Sequence, residues 1–446
     1  MLPPGPRTPA FWQTLRFGFS PREYSRSVIG RYGLVTRFRG LNGNGIAISD
    51  PELARAVFAA DPEGFETPAV MPQLFGARSV LAAAGSEHKR QRKLLNPRFH
   101  GARIKSFLDT IQRVVRERLD GFRKAALDGQ IVVMTDVAQE LTLDIIVETI
   151  FGESVGLSRP QAREILKELI HSLAPSFVFA EALRSMAYPP WRRFVRRRAE
   201  FDTWVDTMIA DRRKRQAPGA DILGVLLEAR YDDGAAMDDA EIRDQLMTLL
   251  LAGHETTAVA LAWGVYWLLR EPDALARLRA ELDGLGSAAS PDAVMRLPYV
   301  QAVVSETLRV EPVVTDVARI CRVPLSLGQW TVPAGELAIV NLCAILDNDA
   351  LFPEPRRFRP ERFLERTFGA GEFLPFGGGA RRCLGAAFAE SELSLALASI
   401  AAEWDLGLAD ERPEPSIRRN ITMGPKRGVR VRVLGARARP EVAQAS

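Results

Sequence analysis

Cysteine and histidine are both scarce. The 446 residues hold three cysteines (Cys321, Cys343, Cys383) and four histidines (His88, His100, His171, His254). Three cysteines build no disulfide framework in a chain this long, which points to a reducing, cytosolic setting. A strong excess of one charge is also lacking: the net charge is +4, too weak by itself to imply nucleic acid. No basic n-region followed by an apolar h-region opens the chain, so no signal peptide is expected. No long hydrophobic run is unbroken. The most apolar one, about 246–269, is interrupted by "HETT", which argues for a buried core helix over a membrane span. There is no internal repeat. With 47% hydrophobic and 26% charged residues the composition is that of an ordinary globular protein.

Short strand-like pieces ("LVTRFRG", "GIAIS") and short helices make up the first 90 residues. A helical pattern dominates from about 101 to 310. It includes an amphipathic stretch over 103–129 that stops at glycine, and a helix capped by Thr135 and ending at Gly152. A segment of roughly thirty residues ending at "LLREP" is apolar almost all round, as befits a helix crossing the middle of a large domain. Residues 313–345 alternate like strands. Residues 346–382 carry Pro353, Pro355, Pro360 and Pro375 and no helical period, so a long ordered connector is expected there. No composition break marks a boundary. One domain over 1–446 is expected, mainly α with a small antiparallel β part: β-rich to about 90, helical over 101–310, β and connector over 313–382, then a cysteine loop and helix over 373–402.

That loop reads "FLPFGGGARRCLGAAF". Glycines at 377–379 allow positive φ and close backbone approach, and Cys383 then falls at a helix start, where N–H groups and the dipole favour a thiolate. A dinucleotide loop is excluded because its third glycine would fall on Arg382, and a phosphate loop for want of Gly-Lys-Ser/Thr. A metal ligand, a nucleophile and a plain buried cysteine stay open on these residues alone.

Phe376, Gly379, Arg381, Cys383 and Gly385 match F-x-x-G-x-[RH]-x-C-x-G, and here the chain resembles the cytochrome P450 family of haem–thiolate monooxygenases. "AGHETT" (252–257) resembles the family's [AG]-G-x-[DE]-T-[TS] motif, and "SETLR", "FRPERF" and "GSEHKRQR" follow the family's order and spacing. The resemblance runs from "LPPGP" to "PKRGVRVRV". It departs at "AILDNDALFP", which lacks a histidine common in that segment.

The resemblance implies a triangular single-domain fold with haem b (iron protoporphyrin IX) between two central helices. It makes Cys383 the axial iron ligand and sets Glu255 and Thr256 over the distal face for proton delivery, with Ala252 and Gly253 leaving room for oxygen and substrate. His254 is read as structural. His88, Arg92 and Arg381, and with them Arg319, would hold the haem propionates, beside the loop residues Phe376, Gly379 and Gly385. Glu306, Arg309 and Arg362 would form a buried ionic triad. Lys89, Arg90, Lys93 and Arg382 would line a proximal surface for a ferredoxin or flavodoxin-type donor with its NAD(P)H reductase. The basic run "WRRFVRRRAEF" (191–201) is read as a solvated helix face.

Family topology places pocket walls at Met71, Leu74, Phe75 and Val80; at Phe177, Phe179 and Met186; at Val313, Val314 and Thr315; and at Ile421, Thr422 and Met423. Most are apolar, so a lipophilic substrate is expected, with fatty acid, terpenoid, steroid and polyketide all open. Asp316 stands out as an acid that would meet a polar substrate group or a haem-side arginine. The implied protein is a bacterial, cytoplasmic monomer of secondary metabolism without a membrane span, anchor or nucleic-acid partner. It would insert one atom of O2 into a C–H bond or an alkene. A peroxygenase, an electron-independent isomerase and a haem sensor or carrier are the alternatives.

Overall fold

The computed structural model describes residues 1–99, 101–152, 159–215, 219–286 and 289–438. Its longest helix is Asp239–Arg270. Asp238 starts it, the side chain accepting the Glu241 N–H at 2.9 Å. Apolar on nearly every face, this helix is packed between Met134–Phe151, Ala386–Glu403 and Pro298–Val310. Trp263 and Tyr299 are among the largest fully buried side chains of this core. Full burial of one large apolar side chain contributes about 1.5–3 kcal/mol, so the core stabilises the bundle well beyond helix propensity. Among the described residues Asp239–Arg270 is the one helix long and apolar enough to cross a membrane, and 78% of its most apolar stretch is buried in the protein.

A second, smaller core lies under a five-stranded sheet. Val35–Gly40 and Gly43–Ile48 form a hairpin, and Leu337–Val340 joins them, followed by Val317–Cys321 and Phe65–Glu66. Gly43–Ile48 and Leu337–Val340 run parallel, so the sheet is not wholly antiparallel as expected. Arg319 sits opposite Ala338 in this sheet, which directs it from a rigid strand.

Three local expectations change. The 103–129 pattern divides into Ala102–Leu119 and Gly121–Leu127 at Asp120. Thr135 is not a cap: Val133 holds that position, and the Thr135 hydroxyl donates to the Gly428 carbonyl at 3.2 Å. Leu342–Leu346 is helical where alternation suggested strand, and Asn341 caps it by accepting the Ala344 N–H.

Candidate functional site

The cysteine loop is built by close packing. Gly377 and Gly379 have φ of 66° and 65°, where side chains are strained. A Cβ on Gly379 would lie 1.9 Å from the Phe58 carbonyl oxygen, and one on Gly378 would lie 2.7 Å from the Phe58 ring. Gly378 and Gly379 therefore let the loop dock onto the helix Pro51–Ala59. The Cys383 N–H donates to the Phe376 carbonyl at 3.0 Å. The helix begins at Ala386, so Cys383 lies just before it and does not start it.

Cys383 is accessible, while Cys321 and Cys343 are buried. Atoms packed behind the Cys383 sulfur push the thiol above its ordinary range, and the Gly385 N–H, Arg382 and Arg92 pull it back. The protein alone does not make this sulfur an anion; a cation bonded to it would. Among the described residues no three His, Cys, Asp or Glu side chains gather as they would for a metal held by protein alone. A metal at Cys383 needs its other ligands from elsewhere, as porphyrin nitrogens provide.

Beside the loop the structure gathers four bases with no acid. His88 Nδ1, Arg92 Nε, and Arg319 Nε and Nη2 are buried without a hydrogen-bond partner. Arg319 Nη1 reaches the Val57 carbonyl at 3.3 Å, and Arg381 Nη2 the Ala83 carbonyl at 2.5 Å. Burial, then Arg381, Arg92 and Arg319, depress His88 to about 3. Burial and Arg381 hold Arg319 at about 10. Nature seldom leaves buried donors and like charges together unless an anion joins them. A group with two carboxylates, such as haem with its propionates, fits this cluster, and Arg-to-carboxylate bonds are the strong kind.

On the long helix, Leu249, Ala252, Gly253 and Thr256 are half-exposed at helical spacing, on a helix otherwise buried here. The helix runs unbroken through "AGHETT"; the Thr256 hydroxyl bonds back to the Ala252 carbonyl at 2.7 Å. A Cβ on Gly253 would come 3.0 Å from Ile146 Cδ1, so its missing side chain serves packing against Met134–Phe151 as well as any pocket. Glu255 is 6% exposed and turns toward a hairpin, where Asn420 Nδ2 donates to its Oε2 at 3.2 Å. Burial raises its carboxyl above the ordinary range; Asn420, Arg419 and Thr422 draw it down.

His254 turns the other way, its Nε2 2.8 Å from the Gln139 carbonyl. Burial lowers it to about 4. Folded His254 thus stays neutral where the unfolded residue, near 6.5, takes a proton. Stability is expected to fall as pH drops from about 6.5 to about 4, by roughly 3 kcal/mol. Urea titrations at pH 7 and pH 4.5 check this, and His254→Gln should flatten that part of the acid limb.

Glu306, Arg309 and Arg362 meet in one buried network. Arg309 Nε and Nη2 reach the two Glu306 oxygens at 2.6 and 2.8 Å, and Arg362 Nε reaches Oε1 at 3.1 Å. The Arg359 N–H adds a fourth donor at 2.8 Å. Arg309 also binds the carbonyls of Leu346, Pro355 and Arg357, and Arg362 those of Pro353 and Arg357. The network pins the connector that leads to the cysteine loop.

Other expected residues scatter. Leu74, Phe75, Val80, Val313, Thr315, Thr422 and Met423 are buried, Met71 and Ile421 half-buried, and Val314 and Met186 exposed. Phe177 is core: its ring packs against Trp191 and Phe194 at 5.2 and 5.7 Å. The side chain of Phe179, like His100, lies outside the described residues. Asp316 accepts from the Thr315 hydroxyl at 2.9 Å, and the positive charge it feels is that of Arg418. Of the proximal bases, Arg90 pairs with Asp233 at 3.3 Å and Lys93 with Asp232 at 2.5 Å, while among the described residues Lys89 and Arg382 form no close ion pair, Arg382 feeling the charge of Glu390 at longer range. In the basic run, Arg193 and Arg197 pair with Glu168, and Arg198 with Asp202 and Asp244. Sequence reasoning missed Phe58 and Asn420; Asn420 carries a turn signal, but nothing in the chain names its partner.

A profile of the cytochrome P450 family matches residues 2–430. The chain is 37% identical over 422 residues to cytochrome P450 137 of Mycobacterium tuberculosis (strain ATCC 25618 / H37Rv), covering 92% of this chain and 85% of the relative. It is 34% identical over 445 residues to cytochrome P450 138 of Mycobacterium bovis, covering 96% of each. Both names stop at the family. Among solved structures, the retinoic acid-bound cyanobacterial CYP120A1 superposes with a TM-score of 0.85 at 26% identity, over 97% of this chain and 99% of that one. The cytochrome P450DA heme domain does so at 0.85 and 25% identity, over 98% of each.

Proposed function

This chain belongs to the cytochrome P450 family, and from that premise we propose a monooxygenase of lipophilic substrates in which Cys383 ligates haem b and Glu255 and Thr256 manage protons. Family and fold make it a haem–thiolate monooxygenase in general. The observation that carries the site reading is the set of buried and half-buried bases, His88, Arg92, Arg319 and Arg381, gathered beside Cys383 with no carboxylate bonded to them among the described residues. They would bind the propionates; Cys383 would take the iron; Phe376, Gly379 and Gly385 would shape the loop. When bound, the haem supplies the oxidant, using dioxygen and two electrons to place one oxygen in a C–H bond or an alkene. Cys383 would supply the thiolate donation that this chemistry draws on.

The half-exposed stripe at Leu249, Ala252, Gly253 and Thr256 would face the substrate, with Met71 and Ile421 as further walls. These are mostly apolar, which supports a lipophilic molecule among the fatty acid, terpenoid, steroid and polyketide classes. The retinoic acid held by the cyanobacterial neighbour is of that character. Lys89 and Arg382 suit an acidic ferredoxin or flavodoxin-type donor fed by an NAD(P)H reductase. The protein would act as one cytoplasmic domain over residues 1–446.

Thr256→Ala tests the proton role. Electron consumption should continue while product per electron falls about 10²-fold, the low end for a positioned proton-transfer group. Full coupling in this variant would remove Thr256 from the reading. Turnover with ferredoxin and reductase, compared with peroxide alone, separates a monooxygenase from a peroxygenase.

A further inference from the structure

The strands Ser416–Arg419 and Thr422–Pro425 form a two-stranded hairpin. Its tip is fixed in three directions. Arg418 Nε donates to the Gly18 carbonyl at 2.8 Å and its Nη1 to the Ile421 carbonyl at 3.0 Å. The Met423 N–H donates to the Val313 carbonyl at 2.9 Å. A Cβ on Gly424 would stand 3.3 Å from the Val259 methyl groups, one helical turn beyond Glu255.

Asn420 sits at the tip with φ 48°, a left-handed conformation that only three non-glycine residues adopt among those described. Asparagine tolerates this conformation better than most residues. The turn aims its amide at the long helix, where Nδ2 donates to Glu255 Oε2 at 3.2 Å. The other groups facing Glu255 come from the same hairpin, namely the positive charge of Arg419 and the Thr422 hydroxyl. On Glu255's own helix the titratable neighbour, His254, is directed away to Gln139.

We propose that Asn420 is a positioning residue for Glu255: held by the hairpin, its amide fixes the carboxyl in the orientation from which it passes protons to the site. This rests on the reading of Glu255 as part of the proton path. A hairpin so placed has a second consequence. Ile421, next in the chain and half-buried, is a wall candidate, so substrate seated against it bears on the same tip that holds Glu255.

The test uses the haem-loaded enzyme and three variants. Asn420→Gly keeps the left-handed turn and removes the amide. Asn420→Asp keeps the turn and sets a second carboxylate against Glu255. Glu255→Gln identifies the Glu255 band in infrared difference titrations, since that band vanishes there. The Glu255 titration should move up by about one pH unit in Asn420→Gly, the size expected for one lost hydrogen bond to a charged group, and further in Asn420→Asp. Product per electron should fall several-fold in both, with the pH of half-maximal coupling displaced in the same direction and substrate KM little changed. An unmoved Glu255 titration in both variants overturns the proposal. If Glu255→Gln uncouples while both Asn420 variants couple normally, positioning by Asn420 fails and the Glu255 role stands. If Glu255→Gln couples fully, the underlying reading fails instead.

Discussion

Arg309→Ala should destabilise the fold by about 3–5 kcal/mol, the usual cost of stranding one member of a buried ion pair. The magnitude follows from what is left behind. Glu306 is 0% exposed and receives four donors, as many as a carboxylate has lone-pair sites. Removing Arg309 takes two of them, leaving Arg362 and the Arg359 N–H to hold a carboxylate that water cannot reach. The carbonyls of Leu346, Pro355 and Arg357 lose a donor as well. Those losses overlap with the first and do not add to it simply. Because these carbonyls belong to the segment leading to Cys383, haem retention should fall together with stability. Chemical denaturation at fixed haem content gives the first quantity, and haem release to a scavenger the second. The exposed pair Arg357–Glu354, at 3.5 Å, is the control: removing that guanidinium by Arg357→Ala should cost under about 1 kcal/mol. Equal costs at the two positions would remove the structural role of the triad.

Cys383→Ser should abolish oxygen insertion and the strongly red-shifted Soret band of the reduced, carbon monoxide-bound protein, while leaving the fold intact. The fold is spared because the bond that shapes the loop uses the main chain: the Cys383 N–H reaches the Phe376 carbonyl, and serine keeps it. Haem binding should persist in weakened form through His88, Arg92, Arg319 and Arg381, since their attraction to propionates does not involve the sulfur. Chemistry is lost because a serine hydroxyl cannot replace thiolate donation to the iron. A red-shifted band that survived in Cys383→Ser would move the ligand assignment to another residue. Cys321 and Cys343 are poor replacements, since burial pushes their thiols up to about 11 and about 12.

Much of the site was legible as short motifs. "FGGGARRCLG", "AGHETT", "SETLR" and "FRPERF" each place candidate site residues on one local element, and local spacing survives folding. The long helix was legible for the same reason, since an all-round apolar pattern has few ways to be satisfied except by burial. Pocket walls were less legible. Phe177 and Ile421 are both apolar, and only packing distinguishes the ring stacked on Trp191 and Phe194 from the side chain left half-open. Strand direction was also hidden, because pairing Gly43–Ile48 in parallel with Leu337–Val340 joins segments nearly three hundred residues apart.

The order of the motifs along the chain, the one cysteine set in a glycine loop and the acid–threonine pair within an apolar helix determined the family and the class of chemistry. They did so because each is a pattern within a few turns of one backbone. Tertiary structure alone decided which distant atoms stand against those residues. It set Phe58 against Gly379, paired Arg90 and Lys93 with Asp233 and Asp232, gathered four bases without an acid, and brought Asn420 to Glu255. Burial and the nearest charged or hydrogen-bonding groups move the titration of His88, Arg319 and Glu255, and neither is a property of sequence spacing.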